Sequence, residues 1–312
     1  MTFEVLMKLW EIAKLVFPGQ SISSIKNRMI FIWTAYSNLD LVLPFLNPDK
    51  DSPIEKLMME RPETLGAVLW PYQCHSWKIA ERLNRIKGHY DALIAHDMRI
   101  DFSVNDAIRL FKLDDIYPDL HIVLDQPIWF IREGQLVINL FVKNTRIFSL
   151  AFSLYDEPSG LTAYIGAMQG RNIEGLLDTY RDITKALHGM RPRDFLFELF
   201  RFFCLNSGIV KIYAVSDAKK HHRSPYFGKS KIEEVSLNYD EIWEERGGVK
   251  SNNDFYTFSV KHENKPLEEI ASKKRSMYRK RYELLDQLSN EMKLTYEDID
   301  NPHRLEIGFK SL

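Results

Sequence analysis

The stretch SKKRSMYRKRYELLD at residues 272–286 concentrates positive charge. Six of the nine side chains from Lys273 to Arg281 are cationic, and no acidic residue lies among them. Such charges repel one another on a helix unless an anion is near, whether a coenzyme phosphate, a lipid headgroup, or Asp and Glu of the same fold. We therefore predict an anion site here. Its substrate-binding residues are Lys273, Lys274, Arg275, Tyr278 and Arg281.

A second candidate anion site is the segment HGMRPRDFL at residues 188–196, a loop that leads into a predicted helix. Backbone amides at a helix N-terminus favour an anion, and two neighbouring arginines favour a phosphate. The alternative is an ordinary helix start with solvated arginines. We also expect polar groups at the end of the third predicted strand to reach this site. The predicted cofactor-binding residues are His188, Gly189, Arg191, Arg193, Gln169 and Arg171.

A third candidate site is the segment AVSDAKKHHRSPYF, which follows a predicted strand at residues 209–217. Ligands often bind at the carboxyl ends of strands in open α/β sheets, and histidine transfers protons near neutral pH. Tyr239, in the predicted helix that follows, adds a hydroxyl group. The alternative is a solvated polar loop. The predicted catalytic residues are His221, His222, Tyr239 and Ser216.

Composition excludes several classes of function. The 312 residues include 42 basic and 43 acidic ones, so bulk charge does not favour nucleic-acid binding. Cys74 and Cys204 are the only cysteines, no metal-ligand spacing is present, and Cys204 lies in an apolar run that favours a buried thiol. Charged residues interrupt the apolar N-terminus, which predicts neither a signal peptide nor a membrane span. We expect a cytoplasmic protein, with peripheral attachment to the inner face of the inner membrane as a further option.

The order of predicted elements indicates an α+β fold. Residues 1–118 have helical periodicity, with helices near 3–17, 22–36 and 74–95. Residues 119–312 form the second region, which begins with three apolar runs that predict an antiparallel meander. The predicted elements of the meander and the chain after it are strands 134–142, 146–155 and 161–170, helices at 173–187 and 192–208, strand 209–217, helix 238–248, strand 254–260 and a terminal basic helix. This is the chain order of the GNAT N-acyltransferase fold with one extra helix, and it predicts that strands 161–169 and 209–216 lie side by side in parallel.

Four motifs, in the right order, resemble the VirK/YbjX family, also called DUF535. They are TKALHGMRPRDFL, IYAVSD, YDEIWEERGG and EIASKKRSMYRKRYELLD, and the resemblance covers roughly residues 60–290. It implies a bacterial protein associated with virulence and with tolerance of cationic antimicrobial peptides. It does not imply a particular reaction.

Similarity to GNAT enzymes implies an acyl-CoA donor, but two features depart from those enzymes. Trp243 occupies the position where a tyrosine often protonates the leaving thiolate, so we expect Trp243 to be a core residue. Gln169 lies near the position where a glutamate base is common. Our first hypothesis is an acyltransferase-like protein that uses coenzyme A or an acyl-CoA, or another phosphorylated carrier, and an envelope-related or small-molecule acceptor. The alternative is a catalytically inactive GNAT-like module that binds an anionic envelope component or lipid surface.

Overall fold

The computed structural model describes residues 3–98, 103–171, 175–228, 238–291 and 297–299. Its first half is mainly helical, and its second half combines a sheet with helices, which confirms the α+β class. The helices are α1 (Phe3–Val16), α2 (Ile22–Ser37), α3 (Leu39–Leu46), α4 (Pro53–Glu60), α5 (Ile79–Ala95), α6 (Leu176–Ala186), α7 (Pro192–Asn206), α8 (Tyr239–Glu244) and α9 (Ser272–Glu291).

One mixed sheet contains all the described strands. These are β1 (Ala107–Lys112), β2 (Leu120–Asp125), β3 (Leu136–Val142), β4 (Thr145–Glu157), β5 (Gly160–Gly170), β6 (Lys211–Val215), β7 (Val249–Lys250), β8 (Phe255–Phe258) and β9 (Glu297–Ile299). Their order is β7-β8-β6-β5-β4-β3-β2-β1-β9. Strands β5 and β6 pair in parallel, as predicted, and the other neighbouring strands described in the sheet pair antiparallel.

The predicted meander is confirmed as β3, β4 and β5. The first two helices are also close to prediction, because Pro18 and Gly19 end α1 and the side chain of Ser21 caps α2. Helix α5 begins at Ile79 rather than near residue 74. The first residues of the helix predicted at 173–187 lie outside the described part of the chain, and α6 follows from Leu176.

Strands β1 and β2 were not predicted from the sequence. Strand β1 lies before residue 118, inside the segment predicted as helical, yet it pairs with β2 at the far side of the sheet. Buried residues of the N-terminal helices, the sheet and α7 form one continuous hydrophobic core. The division of the chain at residue 118 stays a prediction. Helix α7, with its row of buried phenylalanines, packs on β3, β4 and β5 and supports the strands that carry the candidate site.

Candidate functional site

Two loops bring a group of ionisable side chains together beside the parallel pair of strands. Glu133 lies in the turn before β3, and Lys220, His221 and His222 lie in the loop after β6. Tyr239, the first residue of α8, lies against this loop. We call these five residues the Glu133 cluster. It contains three of the four residues predicted to be catalytic, together with two residues that the sequence analysis missed.

Glu133, Lys220 and Tyr239 are buried and the two histidines are half-buried, and the polar atoms of the cluster are incompletely paired. Glu133 is 8% exposed and Lys220 is 1% exposed. Oε1 of Glu133 lies 3.8 Å from Nζ of Lys220 and 3.6 Å from Nδ1 of His221, both beyond hydrogen-bond distance. Nζ of Lys220, Nδ1 of His221 and Nε2 of His222 are buried and have no hydrogen-bond partner among the described residues. Such atoms are rare in folded proteins and are candidates for contact with a ligand.

Burial changes the acid–base properties of these groups. It raises the pKa of Glu133 to about 6, although the positive charges of Lys220 and Arg132 oppose the shift. It lowers the pKa of Lys220 to about 8, although Glu133 opposes that shift. Burial and the charge of Lys220 hold the pKa of His221 well below its ordinary value and lower the pKa of His222 to about 3. Near neutral pH the cluster therefore contains one carboxylate, one ammonium and two neutral imidazoles.

A third segment, at residues 73–75, fixes the two loops to each other. The backbone N–H of Gln73 donates to the carbonyl of Arg132, and the N–H of His75 donates to the carbonyl of Lys219. The side-chain amide of Gln73 donates to the carbonyl oxygens of Glu133 and Tyr164. The backbones on both sides of the cluster are thus held in position before any ligand binds.

A β-bulge in β5 lets the turn of Glu133 approach the sheet. The register between β4 and β5 shifts so that Ala167 faces Ala151 and Ile165 faces Phe152, which leaves Gly166 without a direct partner. A Cβ atom on Gly166 would overlap the backbone oxygen of Glu133, so only glycine fits there. The pairing of β5 with β6 also ends here, at Ile165 and Ala214, whereas β5 continues to Gly170. The cluster therefore lies where the parallel strands separate.

Tyr239 joins the cluster to the free end of β5. Its hydroxyl donates to the carbonyl of Met168, and Nζ of Lys220 lies 3.4 Å from the centre of its ring. Asp217 positions this tyrosine, because its carboxylate accepts from the backbone N–H of Tyr239 and from Arg223. Burial also raises the pKa of Tyr239. The hydroxyl therefore stays protonated and acts here as a hydrogen-bond donor.

Ser216, the fourth residue predicted to be catalytic, is hydrogen-bonded to the backbone before β8, and its catalytic role stays a prediction. Its hydroxyl donates to the carbonyl of Asn253, and its backbone N–H donates to the carbonyl of Asp254. Both bonds fasten the end of β6 to the segment before β8. Ser216 thus supports the loop of the cluster through its hydrogen bonds to the backbone.

The two arginines predicted to bind a phosphate are paired with acidic side chains of the chain itself. Arg191 and Arg193 each contact the same oxygen of Glu245, at 2.9 and 3.1 Å. Arg191 also bonds to Asp194, and its side chain remains 54% exposed. Helix α8 connects this group to the Glu133 cluster, because Tyr239 begins the helix and Glu245 follows its last residue. Six helical residues span ~9 Å, so the two groups are close neighbours.

The basic helix α9 packs against the loop at His188. A Cβ atom on Gly189 would lie 2.8 Å from the sulfur of Met277, and Arg281 donates to the carbonyl of His188 at 3.0 Å. Leu285, one helical turn after Arg281, is buried. Tyr278 lies beside the guanidinium of Arg281, at 4.3 Å from the ring centre.

The other cations of α9 differ in their contacts. Arg275 donates to the carbonyls of Ile270 and Glu268 and so stabilises the start of the helix. Four exposed cations have no acidic partner among the described residues: Lys273, Lys274, Arg279 and Lys280. Acidic side chains of the same fold therefore do not neutralise these four of the six cations within the described residues.

The two remaining predicted cofactor residues lie at the end of β5. Gln169 is exposed and pairs through its backbone with Ser149. The backbone of Arg171 is fixed, because its N–H donates to the carbonyl of Ile147 and its carbonyl accepts from the hydroxyl of Tyr180. Gln169 directly follows Met168, whose carbonyl accepts from the hydroxyl of Tyr239, so its backbone lies near the cluster. The proposed role of both residues in cofactor binding stays a prediction.

Comparison with known proteins gives the family. A family model described as a protein of unknown function, DUF535, matches residues 20–294. The chain belongs to the DUF535 family. The matched segment includes every residue of the Glu133 cluster and the whole of α9, so both candidate sites lie in the family's part of the chain.

Curated relatives of this DUF535 protein come from two bacteria. An uncharacterized protein of Haemophilus influenzae is 35% identical over 163 residues, which cover 50% of this chain and 51% of that protein. The uncharacterized protein YbjX of Escherichia coli is 29% identical over 229 residues, which cover 71% of this chain and 68% of YbjX. The chain thus spans about half the length of the Haemophilus influenzae relative. No solved structure matches it significantly.

Glu133 and Lys220 were missed for different reasons. Glu133 interrupts an apolar stretch that continues into β3. A charged residue in a stretch that is otherwise buried could have indicated a functional residue. Lys220 was part of the segment singled out after β6, but the neighbouring histidines are the more usual proton carriers. Only the contact between the two loops makes Lys220 a buried ammonium with a lowered pKa.

Proposed function

We propose that this DUF535 protein transfers an acyl group from a thioester of coenzyme A, or of a similar phosphorylated carrier, to an amine or hydroxyl group. The observation that carries the proposal is the buried pair Glu133 and Lys220 at the point where β5 and β6 separate. A carboxylate and an ammonium with pKa values of about 6 and 8 suit proton transfer near neutral pH. The GNAT-like order of β3 to β6 agrees with this reaction, as an analogy of fold.

In the proposed reaction each residue of the pair moves one proton. Glu133 accepts the proton of the acceptor as its nitrogen or oxygen attacks the acyl carbon. As the new acyl bond forms and the carbon–sulfur bond breaks, Lys220 gives a proton to the sulfur. The carboxylic acid of Glu133 then returns its proton to the amine of Lys220, which is the stronger base. The cycle ends with both residues in their starting states and needs no other reactant.

The phosphates of the donor would bind at the loop of His188 and Gly189, with Arg191 and Arg193. Glu245 already contacts both arginines, so a phosphate would compete with it. The exposed part of Arg191 leaves its guanidinium accessible for that exchange. An acyl-CoA donor fits a cytoplasmic reaction, and an envelope-related or small molecule is the acceptor class we propose.

The test is release of free coenzyme A from a panel of acyl-CoA esters, with amine and hydroxyl acceptors, by the wild-type chain and by Glu133→Gln. We expect turnover by the wild type and a loss of roughly 10²–10⁴-fold in the variant, the range for removal of a general base. The control is Glu263→Gln, which changes an exposed carboxylate outside the site and should keep full activity.

A thermal shift separates binding from chemistry. Coenzyme A at ~100 times its dissociation constant should stabilise the fold by ~2.7 kcal/mol, and Arg191→Glu should abolish that gain. A shift without turnover by any donor, including acyl carrier protein, would mean that the chain binds the carrier without transferring its acyl group. The absence of both a thermal shift and turnover would overturn the proposal.

A second candidate function has its own observation. The four exposed cations of α9 without acidic partners favour binding to an anionic envelope component, and such binding would fit a role in tolerance of antimicrobial peptides. The test is binding to anionic vesicles or lipopolysaccharide by Lys273→Glu/Lys274→Glu, which should bind more weakly, above all at low salt. Arg181→Glu/Lys185→Glu is the matched control, since these exposed cations of α6 already pair with Asp178 and Asp182.

A further inference from the structure

The outer face of α2 is an apolar surface that no part of the described structure covers. Ile22 is 88% exposed, Trp33 is 73% exposed and Met29 is 58% exposed. These positions recur at the spacing of one helical face. The exposed apolar side chains of the helix are Ile22, Ile25, Met29, Ile30, Trp33 and Tyr36. Single exposed apolar residues are normal in proteins, but six along one helix mark an interaction surface.

The opposite face of α2 is already used by the fold. Phe31 and Ala35 are fully buried in the hydrophobic core, and α2 packs against α1 and α3. The helix is therefore apolar on both sides, although the core covers only one of them. A face of this composition gains free energy when it leaves water, so it favours a second apolar environment.

Charge indicates the kind of partner. The sixteen residues of α2 include Lys26 and Arg28 but no acidic residue, and Lys26 is exposed beside the apolar side chains. On the neighbouring helix α1, Glu4 pairs with Lys8 and Glu11 pairs with Lys14. Arg28 is half-buried and donates to the carbonyls of Phe17 and Gly19. The outer face of α2 thus combines apolar side chains, a tryptophan, a tyrosine and the positive charge of Lys26. These are the features of helices that lie in the interface of an anionic bilayer.

The length of α2 argues for lying on the membrane rather than crossing it. No single described helix is long and apolar enough to span a bilayer. Helix α2 meets both conditions only together with α3, and the two helices are bent by 101°. A helix of sixteen residues is ~24 Å long, shorter than the ~30 Å hydrocarbon core.

We propose that the outer face of α2 docks on an anionic phospholipid bilayer, with Ile25, Met29 and Trp33 in the headgroup region and Lys26 near the lipid phosphates. This inference is independent of the acyl-transfer proposal. It also differs from binding through α9, because it needs apolar insertion as well as charge.

The experiment is sedimentation of the full-length chain with vesicles of phosphatidylcholine alone or mixed with phosphatidylglycerol. We expect binding to the mixed vesicles and at least roughly tenfold weaker binding by Ile25→Asn/Trp33→Asn, because the inserted apolar surface is lost. The matched control is Leu177→Asn/Val249→Asn, which changes two side chains that are each 67% exposed elsewhere. This control should bind like the wild type.

A second measurement locates the tryptophan. Brominated lipids should quench part of the fluorescence of the wild type, and Trp33→Phe should keep vesicle binding while losing that quenched part. Two results would overturn the inference. One is the absence of binding to mixed vesicles. If sedimentation velocity then shows a dimer that depends on Trp33, the face would be assigned to a second copy of the chain. The other is binding that Lys273→Glu/Lys274→Glu abolishes and Ile25→Asn/Trp33→Asn leaves unchanged.

Discussion

The Nζ atom of Lys220 lies 3.8 Å from Oε1 of Glu133, and both side chains are shielded from solvent. A buried ion pair stabilises a fold only when close hydrogen bonds compensate for the lost hydration. The pair between Arg146 and Asp125 has that geometry, with Nη2 and Oδ2 at 2.7 Å. Lys220 and Glu133 do not have it. The fold therefore carries the cost of a buried, loosely paired ammonium, as expected of a site that serves function rather than stability.

Replacement of Lys220 by methionine tests this contrast directly. Lys220→Met keeps most of the side-chain volume and removes a buried charge that has no hydrogen-bond partner among the described residues. Glu133 keeps the positive charge of Arg132 nearby and, with a pKa already raised to about 6, can take up a proton when Lys220 is removed. We therefore expect the free energy of unfolding to stay the same or to rise, while activity or ligand binding is lost. Urea unfolding measures the first quantity. A fall of several kcal/mol would instead assign Lys220 a structural role, through its contact with the ring of Tyr239.

The pH dependence of turnover should report the same pair. Activity requires ionised Glu133 and protonated Lys220, so the rate should rise through a pKa of about 6 and fall through a pKa of about 8. Because the two groups interact, the two values belong to the pair. A profile of kcat/KM against pH for the preferred acyl donor measures them. A profile that is flat across this range would exclude the pair from the chemical step.

Gly166 offers a test of the geometry of the site. Gly166→Ala places a methyl group against the backbone oxygen of Glu133, so the turn or the bulge must move. We expect a loss of roughly 1–3 kcal/mol of stability and a loss of activity. Gly88→Ala is the matched control, because its nearest neighbour is an atom of Tyr155 at 4.0 Å. In the middle of α5 this control should raise stability by roughly 0.5–1 kcal/mol. Full activity in Gly166→Ala would contradict the proposed role of the turn.

Local pattern predicted much of the fold. The antiparallel meander and the end of α1 at Pro18 and Gly19 follow from alternation, periodicity and turn residues close in sequence. The parallel neighbours β5 and β6 were predicted from the resemblance of the element order to the GNAT fold. Trp243 was expected to be a core residue, and it is fully buried, with its indole N–H donating to the carbonyl of Val215. Strands β1 and β2 were missed because loops rich in aspartate flank both of them.

The site could be predicted only in part, because its chemistry depends on contacts between distant segments. His221, His222 and Tyr239 were recognisable as polar groups after β6. Glu133 joins them only because residues 73–75 tie its turn to the loop at Lys220. The raised and lowered pKa values follow from burial that no single segment produces.

Buried histidine should make the fold sensitive to mild acid. His89 is 1% exposed, and its Nδ1 accepts the backbone N–H of Leu154. Burial lowers its pKa from 6.5 to about 3, so below pH 6.5 the unfolded chain binds a proton that the folded chain does not. This contribution to stability is complete above that pH and is lost as the pH falls, by up to ~1.4 kcal/mol per pH unit. Urea unfolding at several pH values measures how the free energy of unfolding depends on pH. His89→Asn should reduce this dependence by the equivalent of one proton. An unchanged slope would contradict the assignment.

The pair of Arg146 and Asp125 gives the last prediction, for stability alone. Both side chains are almost fully buried, and the amide of Asn139 also donates to Asp125. Arg146→Met leaves the carboxylate of Asp125 buried without its cation, so we expect a loss of roughly 3–5 kcal/mol in the free energy of unfolding. The exposed pair of Arg181 and Asp178 is the matched control, and Arg181→Met should change stability by less than about 1 kcal/mol. Urea unfolding of both variants measures the difference. If Asp125→Asn/Arg146→Met recovers part of the loss, the uncompensated charge is its cause; equal losses at the buried and exposed pairs would contradict this account.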